Sequence, residues 1–485
     1  MAERMASFKS GVIWSTINVG VSVGLPLGLF IVFARVTPAW QLGLIAVGLA
    51  WAEMLKGLAP QGLYEAFLAY REPDEPQVAR GMLTILAAFG VASYIAYVLI
   101  LVVYGAHSAK ATGLPWPIWV IGLRAPFDLI TLQPQAQIAK KLAYRRLALR
   151  TVVGNLFAGG VALIFAFAHQ PLAGLAVYYV GQSACILLAT VFGAKVMARP
   201  LFSIRKVHEA LKPLYHQTSW ASGVRTLGVA NNYLDQIIIS AFIPLKAVAN
   251  FNLGKRIEAT LMQAAASFSG IIFQPLFAHD PKNAAATMRR CMFTSVILFG
   301  PPVAVLVVNN QSLIPGVFGG KWQEAASTAA ALAISGFWRG VGTVHSAYLS
   351  VSGRNRDLLF YAAGASLLGI AAVVGLHAEG VFWCAAALAG RSLVTTIWAA
   401  VLTRRLTPAR YYLRAVIGAF LMFMLGAWLG AWGGSAATAS LPHLIGELLT
   451  WTLSGVCSLA LGALCLTPEI AQQLSNTPLL QKFAR

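Results

Sequence analysis

Thirteen charged side chains sit inside stretches of this 485-residue sequence that are otherwise apolar enough to lie in a lipid bilayer. A charge at the middle of a bilayer costs roughly 2.5 to 3.5 kcal/mol on insertion scales, so each needs a counter-charge, a hydrogen-bond partner or water. Part of the pairing is visible in the spacing. Glu53 and Lys56 are three residues apart, Arg124 and Asp128 four, and Lys255 and Glu258 three, which places both members of each pair on one helix face. Such pairs either neutralise themselves for packing or take part in transport, and the spacing suits both.

Arg225, Arg256, Arg339 and Arg391 have no acid three or four residues away on their own helix. At 1.5 Å per residue, Arg391 lies roughly 16 Å and Arg225 roughly 12 Å from the nearer end of its span, too deep for easy snorkelling. They therefore face a wet path or reach acids on other helices. Asp235 is a deep acid with no basic partner on its own helix, and with Asn231 and Asn232 it makes a polar face. Guanidinium forks match phosphate oxygens, so the four arginines, with Arg124, Lys56 and Lys255, are candidates for binding an anionic substrate such as a pyrophosphate or an acidic sugar. Asp128, Asp235, Glu53 and Glu258 are the matching candidates for ion coupling or counter-charge.

The elements that must position these groups are fourteen apolar stretches: 12–34, 41–67, 81–105, 116–138, 151–168, 172–194, 217–241, 247–275, 291–310, 325–350, 358–376, 380–402, 415–434 and 444–465. Each is long enough to cross a hydrocarbon core of roughly 30 Å as a helix. With the N-terminus in the cytoplasm, 25 of the 36 Lys and Arg fall in cytoplasmic segments, 4 in external ones and 7 in the spans. The positive-inside rule then sets span number and orientation together, because adding or dropping one span would put later basic loops outside. Both termini are expected in the cytoplasm, and the first stretch is too long for a signal-peptide core.

Composition agrees. The chain is 58% hydrophobic and 11% charged, which is the membrane class, and its net charge of +20 is mostly the cytoplasmic excess of basic residues rather than a nucleic-acid surface. The five cysteines lie in or at the ends of apolar spans without a CxxC pair, and there is no phosphate-binding GxxxxGK[ST], no HExxH and no zinc spacing. No metal or cofactor is expected, and the short external loops argue against an enzyme. Trp40, Trp116, Trp119, Trp322, Trp383 and Trp451 are placed for an aromatic belt at the external ends. Prolines interrupt several spans. Pro26 and the run Gly300, Pro301, Pro302 are candidate hinges, unless such kinks merely shape packing.

A shift of about 207 residues lays the first six spans on the next six, which predicts two parallel six-helix lobes with two further helices. The expected divisions are 1–210 for the first lobe, 211–405 for the second, and 406–485 for the last two helices and a tail. The fold class is all-α and polytopic. The lone arginines do not repeat across the shift, so the charge should be lopsided toward the second lobe.

Several segments resemble polysaccharide repeat-unit flippases of the Wzx type in the MOP exporter superfamily. The basic run from Pro134 to Arg150 resembles the loop after the family's fourth helix, and residues 231–240, opening on Asn231, Asn232, Tyr233, Leu234 and Asp235, resemble its seventh. Phe318 to Ala326 and Ser352, Gly353, Arg354 resemble the surroundings of the tenth. The resemblance spans residues 10–402 loosely. It implies a bacterial inner-membrane flippase that moves undecaprenyl-pyrophosphate-linked oligosaccharide by alternating access, with membrane lipid, a polysaccharide polymerase and glycosyltransferases as partners. The first span has no charge, unlike the arginine-rich first helix of the related peptidoglycan-precursor flippases. A MATE-like or other small-molecule antiporter is the alternative, and a membrane scaffold for glycosyltransferases a remote one.

Overall fold

The computed structural model describes residues 20–465 apart from 71, 108–113, 142, 195–197, 280, 409–410 and 438–442. The two termini, with their expected cytoplasmic placement, and residues 12–19 of the first expected span lie outside the described residues.

No strand occurs among the described residues. The chain runs as α1 (Gly20–Val36), α2 (Ala39–Gly57), α3 (Leu63–Ala69), α4 (Glu75–His107), α5 (Trp116–Ile121), α6 (Arg124–Lys140), α7 (Tyr144–Phe167), α8 (Pro171–Ala194), α9 (Ile204–Leu211) and α10 (Tyr215–Phe242). It continues through α11 (Leu245–Phe268), α12 (Gln274–His279), α13 (Ala284–Val308), α14 (Asn310–Phe318), α15 (Ala326–Val351), α16 (Asn355–Leu376), α17 (Val381–Leu402), α18 (Ala419–Ala437) and α19 (His443–Cys465).

Every expected span, over its described residues, falls on a helix or a broken helix, yet only eight helices among those residues are long and apolar enough by themselves to cross a membrane. Most of the shortfall has one cause. Among the segments that miss, α2, α10, α11 and α15 carry polar faces around Glu53, Arg225, Glu258 and Arg339 in place of uniform apolar sequence, and α6, 17 residues long, is cut short by the step at Gly122 and Leu123. The outside of the molecule is apolar: Ile95, Leu99, Ile164, Phe167, Phe192, Leu367 and Trp432 are all exposed, as a surface solvated by lipid requires.

Two compact units divide the chain at Ala249 and Asn250. The first unit takes in α10, which the 207-residue repeat assigns to the second lobe. The physical reason is a break in the second span. Pro60 interrupts the helix between Gly57 and Leu63, freeing backbone groups that need partners. α10 supplies them: the Gly62 N–H donates to Ser222 Oγ at 3.0 Å, and Thr226 Oγ1 donates to the Gly57 carbonyl at 2.8 Å. Ser222, Thr226 and Val229 recur at helical spacing on one face of α10, and a Cβ on Gly57 would meet Val229 Cγ1 at 2.6 Å.

In the second unit α13, α15 and α18 share one core of Phe299, Phe337, Trp338, Phe420 and Phe423. Phe337 stacks on Phe420 with centroids 4.3 Å apart. α18 meets α19 through Gly426, Gly430 and Gly434, whose added Cβ atoms would lie 2.4 Å from the Cys457 carbonyl, 2.6 Å from that of Leu453 and 2.9 Å from Thr450 Cα. Small residues at every fourth position let two membrane helices approach this closely.

The candidate hinges are not where the helices break. α1 runs through Pro26, and α13 runs through Gly300, Pro301 and Pro302. Gly300 lies against the Phe423 ring, 2.5 Å from where its Cβ would be. The interruptions are the Pro60 break, the Gly122 and Leu123 step between α5 and α6, and π-helical turns at Ser269–Phe273 and Tyr412–Gly418. The aromatic belt also needs one correction. Trp40, Trp116 and Trp383 are exposed as expected, but Trp322 is fully buried, because the 3-10 turn Gly320–Ala325 folds it into the protein.

Candidate functional site

In the first unit the two expected pairs combine into one four-charge network. Lys56 Nζ lies 2.6 Å from Glu53 and 2.8 Å from Asp128, and Arg124 Nε lies 3.1 Å from Glu53 and 3.2 Å from Asp128. Each acid thus touches both cations, and the network is neutral. α2 supplies one acid and one cation, and α6 the other two, so the helices are held by crossed ion pairs. These side chains keep between 11% and 26% of their surface exposed, so they are not fully sealed in the protein. The Arg124 guanidinium also lies over the Tyr179 ring of α8, 5.8 Å from its centroid.

Arg225 finds its acid on another helix: it pairs with Glu65 of α3. Both are substantially exposed, so this pair adds little stability by itself. It sits on the same face of α10 as Ser222 and Thr226. Asp235 is buried, and its carboxylate accepts the Gln236 N–H at 2.7 Å. Asn231 is half-buried and Asn232 exposed.

The second unit is different in charge. Glu258 is almost fully buried and receives Lys255 at 2.8 Å from its own helix, Arg339 of α15 at 2.9 Å and the Ser335 hydroxyl at 2.6 Å. Arg391 of α17 is buried too, close enough for its charge to act on Glu258. Three cations therefore converge on one carboxylate at depth, where the first unit sets two cations against two acids. Ser392, 2.8 Å from Ser335 Oγ, extends the polar cluster. Arg256 is half-buried on α11, two residues before Glu258. The structure brings Lys255, Glu258, Arg339 and Arg391 together around one carboxylate, and Glu53, Lys56, Arg124 and Asp128 in the other unit.

Glu65 was not legible as the partner of Arg225, because an acid on another helix leaves no spacing signal in the sequence. It also missed the neutral partners, Ser335 and Ser392 here and, in the first unit, a buried knot in which Tyr178 and Gln182 both donate to Asn155 Oδ1 at 3.1 and 2.8 Å. Their signal was weak: isolated hydroxyls and amides are common in membrane helices.

Known proteins share this architecture. The family described as polysaccharide biosynthesis protein matches residues 32–327. The lipopolysaccharide biosynthesis protein WzxC of Escherichia coli strain K12 is 22% identical over 360 residues, covering 71% of this chain and 70% of that protein. Among solved structures, the lipid II flippase MurJ in an inward closed conformation superposes with a TM-score of 0.73 at 13% identity, covering 96% of this chain and 99% of that one. The MATE multidrug transporter DinF-BH reaches a TM-score of 0.55 at 16% identity, covering 83% of this chain and 96% of that one. The all-α membrane fold of the MOP type and the Wzx-type resemblance are both borne out. With more than half of its length matched, the chain belongs to the polysaccharide biosynthesis protein family.

Proposed function

We propose that this protein is a flippase that carries undecaprenyl-pyrophosphate-linked oligosaccharide repeat units across the bacterial inner membrane. It is a multi-pass membrane transporter of polysaccharide biosynthesis. The observation that carries the substrate reading is the second-unit cluster, where Lys255, Arg339 and Arg391 gather around Glu258. Cations held together at this depth stabilise a visiting anion, and a pyrophosphate is an anion that guanidinium forks bind well. The neutral network of Glu53, Lys56, Arg124 and Asp128 offers an anion less. It serves as a polar wall for sugar, with its acids as counter-charges.

The polyprenyl tail stays in lipid. α18 and α19 offer it an outer face with Leu421, Trp428, Trp432 and Val456 exposed. The likeness to the lipid II flippase covers 96% of the chain, against 83% for the multidrug transporter, so the fold of the former accounts for more of the chain. That favours a lipid-linked cargo over a small drug. Both termini and the basic segment from Lys140 to Arg150, where α6 ends and α7 begins, lie in the cytoplasm in this reading, where a glycosyltransferase can hand over the finished unit, and a polymerase receives it outside.

The test is deletion of the gene followed by measurement of lipid-linked oligosaccharide on each face of the inner membrane. Accumulation on the cytoplasmic face, relieved by the wild-type gene and not by Arg339→Ala, is expected. Normal export in the deletion strain with no related transporter present would end the proposal.

A further inference from the structure

The connection between α8 and α10 carries a helix with two opposite faces. In α9, Ile204, Val207 and Leu211 recur at intervals of three and four on one side, and Arg205, His208, Glu209 and Lys212 take the other. Val207 and Leu211 are buried in the core that α3 and α4 build from Phe67, Met82 and Leu86. A Cβ on Gly81 of α4 would stand 3.2 Å from Ala210 and 3.3 Å from Leu211, so α9 lies directly on the first turns of α4. The apolar stripe outruns its cover. Ile204 is 89% exposed, and Phe202, two residues before it, is 95% exposed, more than any other large apolar side chain among the described residues.

Hydrogen bonds to α4 fix the height of this pair. The Leu201 N–H donates to Thr84 Oγ1 at 2.7 Å, and Arg80 Nε donates to the Arg199 carbonyl at 3.0 Å. Beyond this cover the outer side of α4 lies bare from Ala88 and Phe89, about 7 Å further along the helix than Thr84. The apolar face of a helix lying on a membrane sinks roughly 5–10 Å into the boundary between headgroups and acyl chains, so Phe202 and Ile204 stand at that boundary. Cations surround them. Arg199, Arg205 and Lys206 are exposed and Arg80 half-buried, and the single acid of α9, Glu209, pairs with Arg205 at 3.0 Å. Arg80 keeps the two terminal nitrogens of its fork, and the bond to the Arg199 carbonyl sets the two arginines side by side. A zwitterionic lipid would gain from the apolar pair but little from the cations, and a free phosphate only from the cations. Both halves together fit a lipid with a net negative headgroup.

We propose that Arg80, Arg199, Lys206, Phe202 and Ile204 form a docking site for an anionic phospholipid of the surrounding bilayer. The phosphodiester lies on the Arg80 and Arg199 guanidinium groups, with Lys206 beside it, and Phe202 and Ile204 enter the top of the acyl chains. The site lies wholly in the first unit and is independent of what the protein transports. In the orientation proposed above, the lipid belongs to the cytoplasmic leaflet.

The experiment uses the full chain, free of cysteine except for Ser203→Cys, in phosphatidylcholine liposomes. Ser203 is exposed between the two apolar side chains and its hydroxyl caps no helix, so a bimane label there leaves the proposed contacts in place. Quenching is followed as phosphatidylglycerol or phosphatidylcholine with a nitroxide near the top of one acyl chain is added. One cation at a membrane surface gives about a fivefold preference for anionic lipid, so half-maximal quenching should need about fivefold less phosphatidylglycerol, or lower still. Arg80→Gln with Arg199→Gln should cut the preference severalfold and leave quenching by phosphatidylcholine unchanged, and Lys at both positions should restore part of it. In the chain with both arginines, raising the salt from about 0.01 M to about 1 M shortens the Debye length from about 30 Å to about 3 Å and should flatten the preference, because these cations are exposed. Equal quenching by the two lipids would overturn the site, as would a preference that survives both the double Gln substitution and the salt. So would a label that neither lipid quenches, which would put the segment in water, where a protein partner meets it. Relief of the phosphatidylglycerol quenching by a smaller share of undecaprenyl pyrophosphate would assign the site to the cargo and end the phospholipid proposal.

Discussion

Asp128→Asn puts the four-charge network of the first unit to a quantitative test. In the wild type, two cations and two acids touch crosswise at 2.6 to 3.2 Å. Removing the Asp128 charge leaves Lys56 and Arg124 sharing Glu53 alone, with one positive charge in excess. Breaking a fully buried pair costs about 3–5 kcal/mol, but here both cations keep one partner and the side chains are partly exposed, so we expect about 2–3 kcal/mol. Lys56→Met, which leaves one acid in excess, should cost a similar amount. The double variant is neutral again, keeps the Arg124 to Glu53 pair, and should cost only about 1–2 kcal/mol. The two singles therefore overshoot the double by roughly 3 kcal/mol of coupling, well above the roughly 0.5 kcal/mol within which independent sites add. Unfolding by sodium dodecyl sulfate in mixed micelles, followed by tryptophan fluorescence, measures all four corners of the cycle. Additive losses would refute the crossed network and leave only pairs within each helix.

Two further predictions test packing and orientation. Gly430→Val should lower the melting temperature in detergent, at a cost of about 1–3 kcal/mol, because its Cβ would lie 2.6 Å from the Leu453 carbonyl, whereas Gly433→Ala, with nothing within 4 Å, should be neutral; equal melting of both would show that α18 and α19 do not meet at Gly430. In a cysteine-free background, a single cysteine at Gln170 should react with an impermeant thiol reagent added outside and one at Arg146 should not, and the reverse pattern would invert the proposed orientation.

Much of the fold was legible because lipid imposes a strict rule. Backbone polar groups in hydrocarbon must be satisfied within the segment, so long apolar stretches become helices, and the helices fall on the expected spans. The breaks were less legible. Pro60 and Pro26 are both prolines within apolar sequence, yet only the segment around Pro60 opens, where α10 presents Ser222 and Thr226 to the freed backbone. The proline supplies the tendency, and the partner across the packing interface decides whether the helix gives way. Trp322 likewise has the sequence position of a belt residue, and a short turn takes it into the core.

The site divides the same way. Spacing alone identified Glu53 with Lys56, Arg124 with Asp128 and Lys255 with Glu258, because residues three or four apart must meet on a helix. Spacing also showed that Arg225, Arg256, Arg339 and Arg391 lacked such neighbours on their own helices, which left a wet path and a distant acid equally open. Only the tertiary structure paired Arg225 with Glu65 and Arg339 with Glu258, and only it crossed the two local pairs of the first unit into one network. His345 illustrates the limit most sharply. In sequence it is one histidine in a small-residue helix, yet it is fully buried in α15, and its hydrogen-bond partner Thr403 and ring neighbour Tyr412 lie 58 and 67 residues away along the chain. Helical periodicity reaches about one turn in either direction. Whatever is decided by groups on different helices depends on how those helices pack, and that is settled by side-chain volume, glycine contacts and backbone breaks acting together over the whole bundle.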